Sequence, residues 1–100
     1  MTAQAIRRIV VRGRVQGVGF RAFVEDEAAL YGLEGWIRNR RDGSVEAVLA
    51  GAADAVAAVV EACRQGPETA RVEGIEISDG GAADLRLRRP GEHFSTLMTV

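Results

Sequence analysis

The chain has 100 residues, of which 47% are hydrophobic, and a net charge of −1. That length and apolar content fit one domain with one core, and the near-zero charge excludes binding driven by bulk electrostatics to nucleic acid or membrane. No apolar run approaches the about 18 residues of a membrane-spanning helix, and the single Cys63 excludes an internal disulfide or a multi-cysteine metal site.

The elements follow in order. Residues 1–5 are expected to fray. Arg7 and Arg8 are not followed by the uninterrupted apolar stretch of a secretion signal, so a cytoplasmic location is expected. Ile6 to Arg12 alternates as a strand, with Ile9 and Val11 on one face and Arg8, Val10 and Arg12 on the other. After a glycine-rich loop, a helix-like run covers Arg21 to Gly32. Its stripe is Phe20, Val24, Ala28 and Tyr31, and Glu25, Asp26 and Glu27 fall near its positive end. Leu33 to Arg41 and Ser44 to Ala50 read as strands joined through the hairpin signal Asp42-Gly43. A second helix is predicted from about Ala53 to Gln65, weakly capped at its start and stopped by Gly66-Pro67. Arg71 to Ser78 is a fourth strand, Asp79-Gly80-Gly81 a turn, and Asp84 to Arg89 a short fifth strand. The tail beyond Pro90 carries Phe94, Leu97 and Met98 without a period. Those three residues are too apolar for a free end and are expected to pack on the domain or on a second copy. The order βαββαβ predicts an α+β, ferredoxin-like sandwich: an antiparallel sheet with two helices on one face, the whole of 1–100 forming one domain with 91–100 as its tail.

The stretch Gly13-Arg14-Val15-Gln16-Gly17-Val18-Gly19-Phe20-Arg21 lies between the first strand and first helix. Its glycines permit a sharp turn and close backbone approach. A loop feeding a helix N-terminus presents unpaired N–H groups where the dipole favours an anion, and Arg21 adds a guanidinium fork. Gln16, Gly17, Val18, Gly19, Phe20 and Arg21 are therefore candidates for a phosphate cradle, against the simpler interpretation of a tight turn that binds nothing. Gly17-Val18-Gly19-Phe20-Arg21-Ala22 also fits the dinucleotide fingerprint. However, that motif needs a parallel second strand closed by an acidic residue, and here the second strand enters a hairpin. No Gly-Lys-Ser/Thr follows, so a Walker loop is excluded too.

Together with Gly35-Trp36-Ile37-Arg38-Asn39 and Asp42-Gly43-Ser44-Val45-Glu46, the nine-residue stretch closely resembles the acylphosphatase family, over roughly Ile6 to Arg89. Two departures are Ala22, where the family often has an aromatic residue, and the longer tail. The resemblance implies hydrolysis of acyl phosphates to carboxylate and inorganic phosphate. It implies that the amides of Gln16 to Arg21 and the Arg21 side chain hold the phosphate, and that Asn39 positions the attacking water. No metal and no cofactor is implied. A carboxylate leaves readily, and phosphoryl transfer depends chiefly on positioning and charge stabilisation. The expected partner is a small acyl phosphate, with no nucleic acid, no membrane and a monomeric chain.

Other residues have plainer roles. Trp36 and Cys63 read as core, Ser44 as a turn residue, and His93 as a residue without a role. Two other functions remain open. One is a nucleic-acid-binding ferredoxin-like module, using Arg8, Arg12, Arg38, Arg40, Arg86 and Arg88. Such modules stack bases on sheet aromatics, which the first and third predicted strands do not contain, and arginine stems covering an exposed sheet, balanced by Glu46, Glu73 and Glu76, account for the same residues. The other is a non-catalytic module for phosphate or carbamoyl phosphate.

Overall fold

The computed structural model describes residues 3–100. Among these, five strands form one sheet and three helices pack on it: β1 (Gln4–Arg14), α1 (Phe20–Leu30), β2 (Glu34–Asn39), β3 (Val45–Ala52), α2 (Ala53–Gln65), β4 (Arg71–Asp79), α3 (Ala82–Leu85) and β5 (Phe94–Thr96). The strand order is β4-β1-β3-β2-β5. Gln4 and Ala5 belong to β1, so the expected fraying fails there. Met1 and Thr2 lie outside the described residues.

The ferredoxin-like architecture is present. The alternation of β1 turns Ile9 and Val11 toward the helices. There they join Phe20, Val24 and Ala28 of α1, Ile37 of β2, Ala47 and Leu49 of β3, and Val56, Val59 and Cys63 of α2 in one buried core. Tyr31 is not part of the α1 stripe: the helix ends at Leu30 and Tyr31 is exposed. The helix begins one residue earlier than expected, so Glu25, Asp26 and Glu27 fall beyond its first turn. Helix α2 spans the predicted residues, with Ala52 as a cap lacking a side-chain bond and Gly66 at its end.

Two expectations are corrected. Asp84 to Arg89 is not a strand: Ala82–Leu85 is a short helix followed by turns. The fifth strand lies in the tail, Phe94–Thr96, and runs parallel to β2, which makes the sheet mixed. The alternation of Leu85 and Leu87 against Arg86 and Arg88 is a local pattern that tertiary contacts override. The Trp36 indole N–H donates to the Asp84 carbonyl at 2.7 Å, which holds α3 over the sheet face away from α1 and α2. Trp36 is thus buried as expected, but on that second face, with Val10 and Val48. Phe94 packs against the core, whereas Met98 is exposed. Beyond β5, the Leu97 N–H bonds the Ile37 carbonyl and the Val100 N–H bonds the Asn39 carbonyl, so the tail follows β2 to its end. No helix among the described residues is long and apolar enough to cross a membrane.

On the second face Glu46 stands between Arg8 and Arg38, and Arg38 also lies 4.6 Å from the centroid of the Trp36 ring. Burial pushes the Glu46 carboxyl up, but hydrogen bonds and charge from the two arginines outweigh it and hold the group below its ordinary value. A carboxyl depressed in the folded state adds stability above its unfolded value near 4.5, and that stability is lost as pH falls through the folded value. Glu46→Gln is therefore expected to lower stability by about 1–2 kcal/mol at pH 7. Thermal melts of the two proteins should converge as pH is lowered below 4.5 and the Glu46 carboxyl takes up its proton. A constant difference across that range would remove the ionised pair as the cause.

Candidate active site

The cradle is built by alternating anchors. Val15 and Phe20 are each 1% exposed and fix the two ends of the loop in the core, so the backbone between them arches outward. Gly17 and Gly19 have φ of +71° and +84°, where a side chain would be strained, and both are exposed. Gly19 is the cap residue of α1, and no side chain among the described residues bonds to that helix end. The first-turn amides thus keep their partial positive charge without a side-chain acceptor.

Two side chains pin the loop. Gln16 Nε2 donates to the carbonyls of Arg40 at 2.7 Å and Ser44 at 2.8 Å, clamping the loop to the β2–β3 turn. The Thr69 hydroxyl, from the α2–β4 connection, donates to the Val18 carbonyl. The turn itself is held by Asp42, whose carboxylate accepts from the Ser44 hydroxyl and N–H. Those two bonds, with the Arg12 hydrogen bond and the charge of Arg40 adding, lower the Asp42 carboxyl to about 2.

Arg21 lies in the first turn of α1 and is half-buried. Among the described residues its guanidinium has neither an ion-pair nor a hydrogen-bond partner. It borders a hollow of about 260 Å³ whose lining includes Gly17, Gly19, Phe20, Glu25 and Thr96. Asn39 is the last residue of β2, directly before the Arg40 carbonyl that Gln16 grips. Strand parity puts its side chain on the same sheet face as Ile37, the helix side. Its Oδ1 is buried and has no hydrogen-bond partner among the described residues.

The predicted residues therefore divide. Gly17, Gly19, Phe20 and Arg21 share the hollow. Gln16 and Val18 belong to the loop, but the Gln16 side chain is engaged with the hairpin and Val18 packs against the core. Asn39 does not line the hollow and is joined to the loop through the Gln16 clamp. Sequence reasoning missed the pinning roles of Gln16 and Thr69, and the presence of Thr96. Cys63 is no nucleophile: burial pushes its thiol up to about 12, with the charge of Glu27 adding. His93 is exposed, and its Nε2 lies 3.3 Å from the Gly32 carbonyl.

A glycine-rich loop, an uncapped helix start and an arginine unpaired among the described residues share one hollow and make it a candidate anion site, with the buried Asn39 Oδ1 outside its lining. The sequence model of the family described as Acylphosphatase matches residues 7–86, which include both site segments. The chain belongs to the acylphosphatase family. Membership makes it an enzyme, a hydrolase. The acylphosphatase of Rhodopseudomonas palustris (strain BisB18) is 58% identical over 95 residues, covering 95% of this chain and 96% of that relative. That of Bradyrhizobium diazoefficiens is 56% identical over 98 residues, covering 98% of this chain and 99% of the relative. The crystal structure of acylphosphatase from Bacillus subtilis superposes with a TM-score of 0.78 at 38% identity, covering 95% of this chain and 99% of that one. The span of the family model stops short of β5 and leaves Thr96 outside, whereas the 98-residue match to the Bradyrhizobium relative includes it.

Proposed function

We propose that the chain hydrolyses the carboxyl–phosphate bond of acyl phosphates. The amides of Gln16 to Arg21 and the Arg21 guanidinium hold the phosphoryl oxygens, and Asn39 orients the attacking water. Water oxygen bonds to phosphorus while the phosphorus–oxygen bond to the acyl group breaks. The carboxylate leaves with the electron pair, and the water proton passes to the phosphate or to solvent. The observation that carries this reading is the buried, unpartnered Asn39 Oδ1 one residue from the clamp that ties β2 to the cradle. A buried acceptor without a partner costs about 1–3 kcal/mol, and a water donating to it removes that cost. A carboxylate leaving group needs no strong acid, which suits a site that meets the phosphate with an arginine and backbone amides.

The substrate is a small molecule, and the chain acts as one domain, a monomer in the cytosol. The arginines of the second sheet face also fit this role better than nucleic-acid binding. Arg8 and Arg38 are paired with Glu46, and Arg12 with Asp42 and Glu76. A gel shift at physiological salt should show no complex.

No three of the described His, Cys, Asp and Glu residues cluster with ligand geometry. Phosphate release from benzoyl phosphate should therefore proceed at the same rate with and without EDTA. A loss restored by magnesium would overturn the metal-free mechanism. Turnover of acetyl phosphate against carbamoyl phosphate tests whether the site takes the second substrate class.

A further inference from the structure

Arg21 and Glu25 are four residues apart on α1, the spacing at which an arginine and a carboxylate meet across one helical turn. They do not meet. Among the described residues Arg21 has no ion-pair partner, whereas Glu25 Oε1 accepts a hydrogen bond of 2.7 Å from the Thr96 hydroxyl. All three border the same hollow. The hydroxyl arrives there because β5 pairs in parallel with β2 and sets Thr96 opposite Ile37, whose side chain faces the helices.

We propose that Thr96 is a positioning residue whose hydroxyl holds Glu25 away from Arg21 and so keeps the guanidinium open to phosphoryl oxygens. The inference rests on Arg21 being the phosphate ligand, as proposed above. A carboxylate one helical turn away is an intramolecular competitor for that ligand. Each molecule in which Glu25 reaches Arg21 must break the pair before phosphate binds, and apparent affinity falls by the fraction that is open. An exposed pair of this kind is worth a factor of roughly two to five.

Thr96→Val keeps the β-branched shape and the strand while removing the donor. Inorganic phosphate should then inhibit roughly two- to fivefold more weakly. KM for acetyl phosphate should rise in step with kcat little changed, because the water-positioning group is untouched. Thr96→Ser retains the hydroxyl and should behave as the native protein. In a Glu25→Gln background the competitor is neutral, so adding Thr96→Val should leave phosphate inhibition where it was. The latch is overturned if Thr96→Val has no effect in the native background, has the same effect in both backgrounds, or acts on kcat alone. A merely loosened β5 gives the second of these results. Arg21→Ala measured in parallel separates the two levels of the argument. If phosphate binds native protein and Arg21→Ala equally, the cradle assignment fails and the latch with it. If only native protein binds phosphate and the Glu25 dependence is missing, the latch alone fails.

Discussion

Arg21→Lys is expected to lower kcat/KM by on the order of 10²-fold or more, about 3 kcal/mol of transition-state stabilisation. Lysine keeps the charge but offers a single ammonium where the phosphoryl group presents several oxygens, and the bidentate fork is lost. The structure adds a second expectation. The guanidinium has no ion-pair or hydrogen-bond partner among the described residues, so the substitution breaks no contact that supports the fold. Melting temperature should stay close to that of the native protein. Inorganic phosphate should compete with substrate in the native enzyme and bind the variant poorly. An Arg21→Lys protein that hydrolyses acetyl phosphate normally would sink the cradle assignment.

Asn39→Ala is expected to abolish most turnover while leaving phosphate inhibition nearly unchanged, because Arg21 and the loop amides remain. The loss in kcat should be on the order of 10²-fold, the scale of misplacing a reactant. A purely structural asparagine would give the opposite signature, lower stability with residual activity in proportion to folded protein. Here the Oδ1 has no protein partner among the described residues, so the substitution breaks no protein hydrogen bond of that oxygen and should change the melting temperature little. Asn39→Asp should also fail, and should weaken phosphate binding as well, since a carboxylate there repels the incoming dianion. Thermal melts, kcat and the phosphate inhibition constant on the same samples decide the matter. A folded alanine variant with near-native kcat would remove the water-positioning role.

Much of the frame was legible because it obeys local periods. Ile9 and Val11 alternate, Val24 and Ala28 repeat one helical turn apart, Asp42-Gly43 makes the turn, and Gly66-Pro67 ends α2. The fifth strand was not legible, for a physical reason. Phe94–Thr96 is three residues long, too short to show any alternation, and it exists because the outer edge of β2 has hydrogen-bonding groups to satisfy. Leu85 to Arg88 alternates better, but its neighbourhood is fixed by the Trp36 indole seeking a carbonyl 48 residues away. The tight loop into α1 was readable from its glycines, and the place of Arg21 in the first helical turn from the run that follows, because both depend on adjacent backbone. The clamp was not. A glutamine amide carries no sign of which carbonyls it will meet, and those of Arg40 and Ser44 lie 24 and 28 residues away.

The parallel seating of β5 on β2 also bears on how the chain is made. Arg21 and Asn39 precede β3 in the chain, and β3 follows β2 closely enough to cover one of its edges soon after both are made. The other edge waits for Phe94 to Thr96, the fifth of the described strands in chain order. Throughout that interval a nascent chain displays unpaired N–H and C=O groups along the strand that ends in Asn39, the kind of edge that recruits another strand. A ribosome-stalled chain ending near Arg89 would thus carry the cradle sequence and the asparagine but leave β2 open, and would be more prone to associate than the released protein.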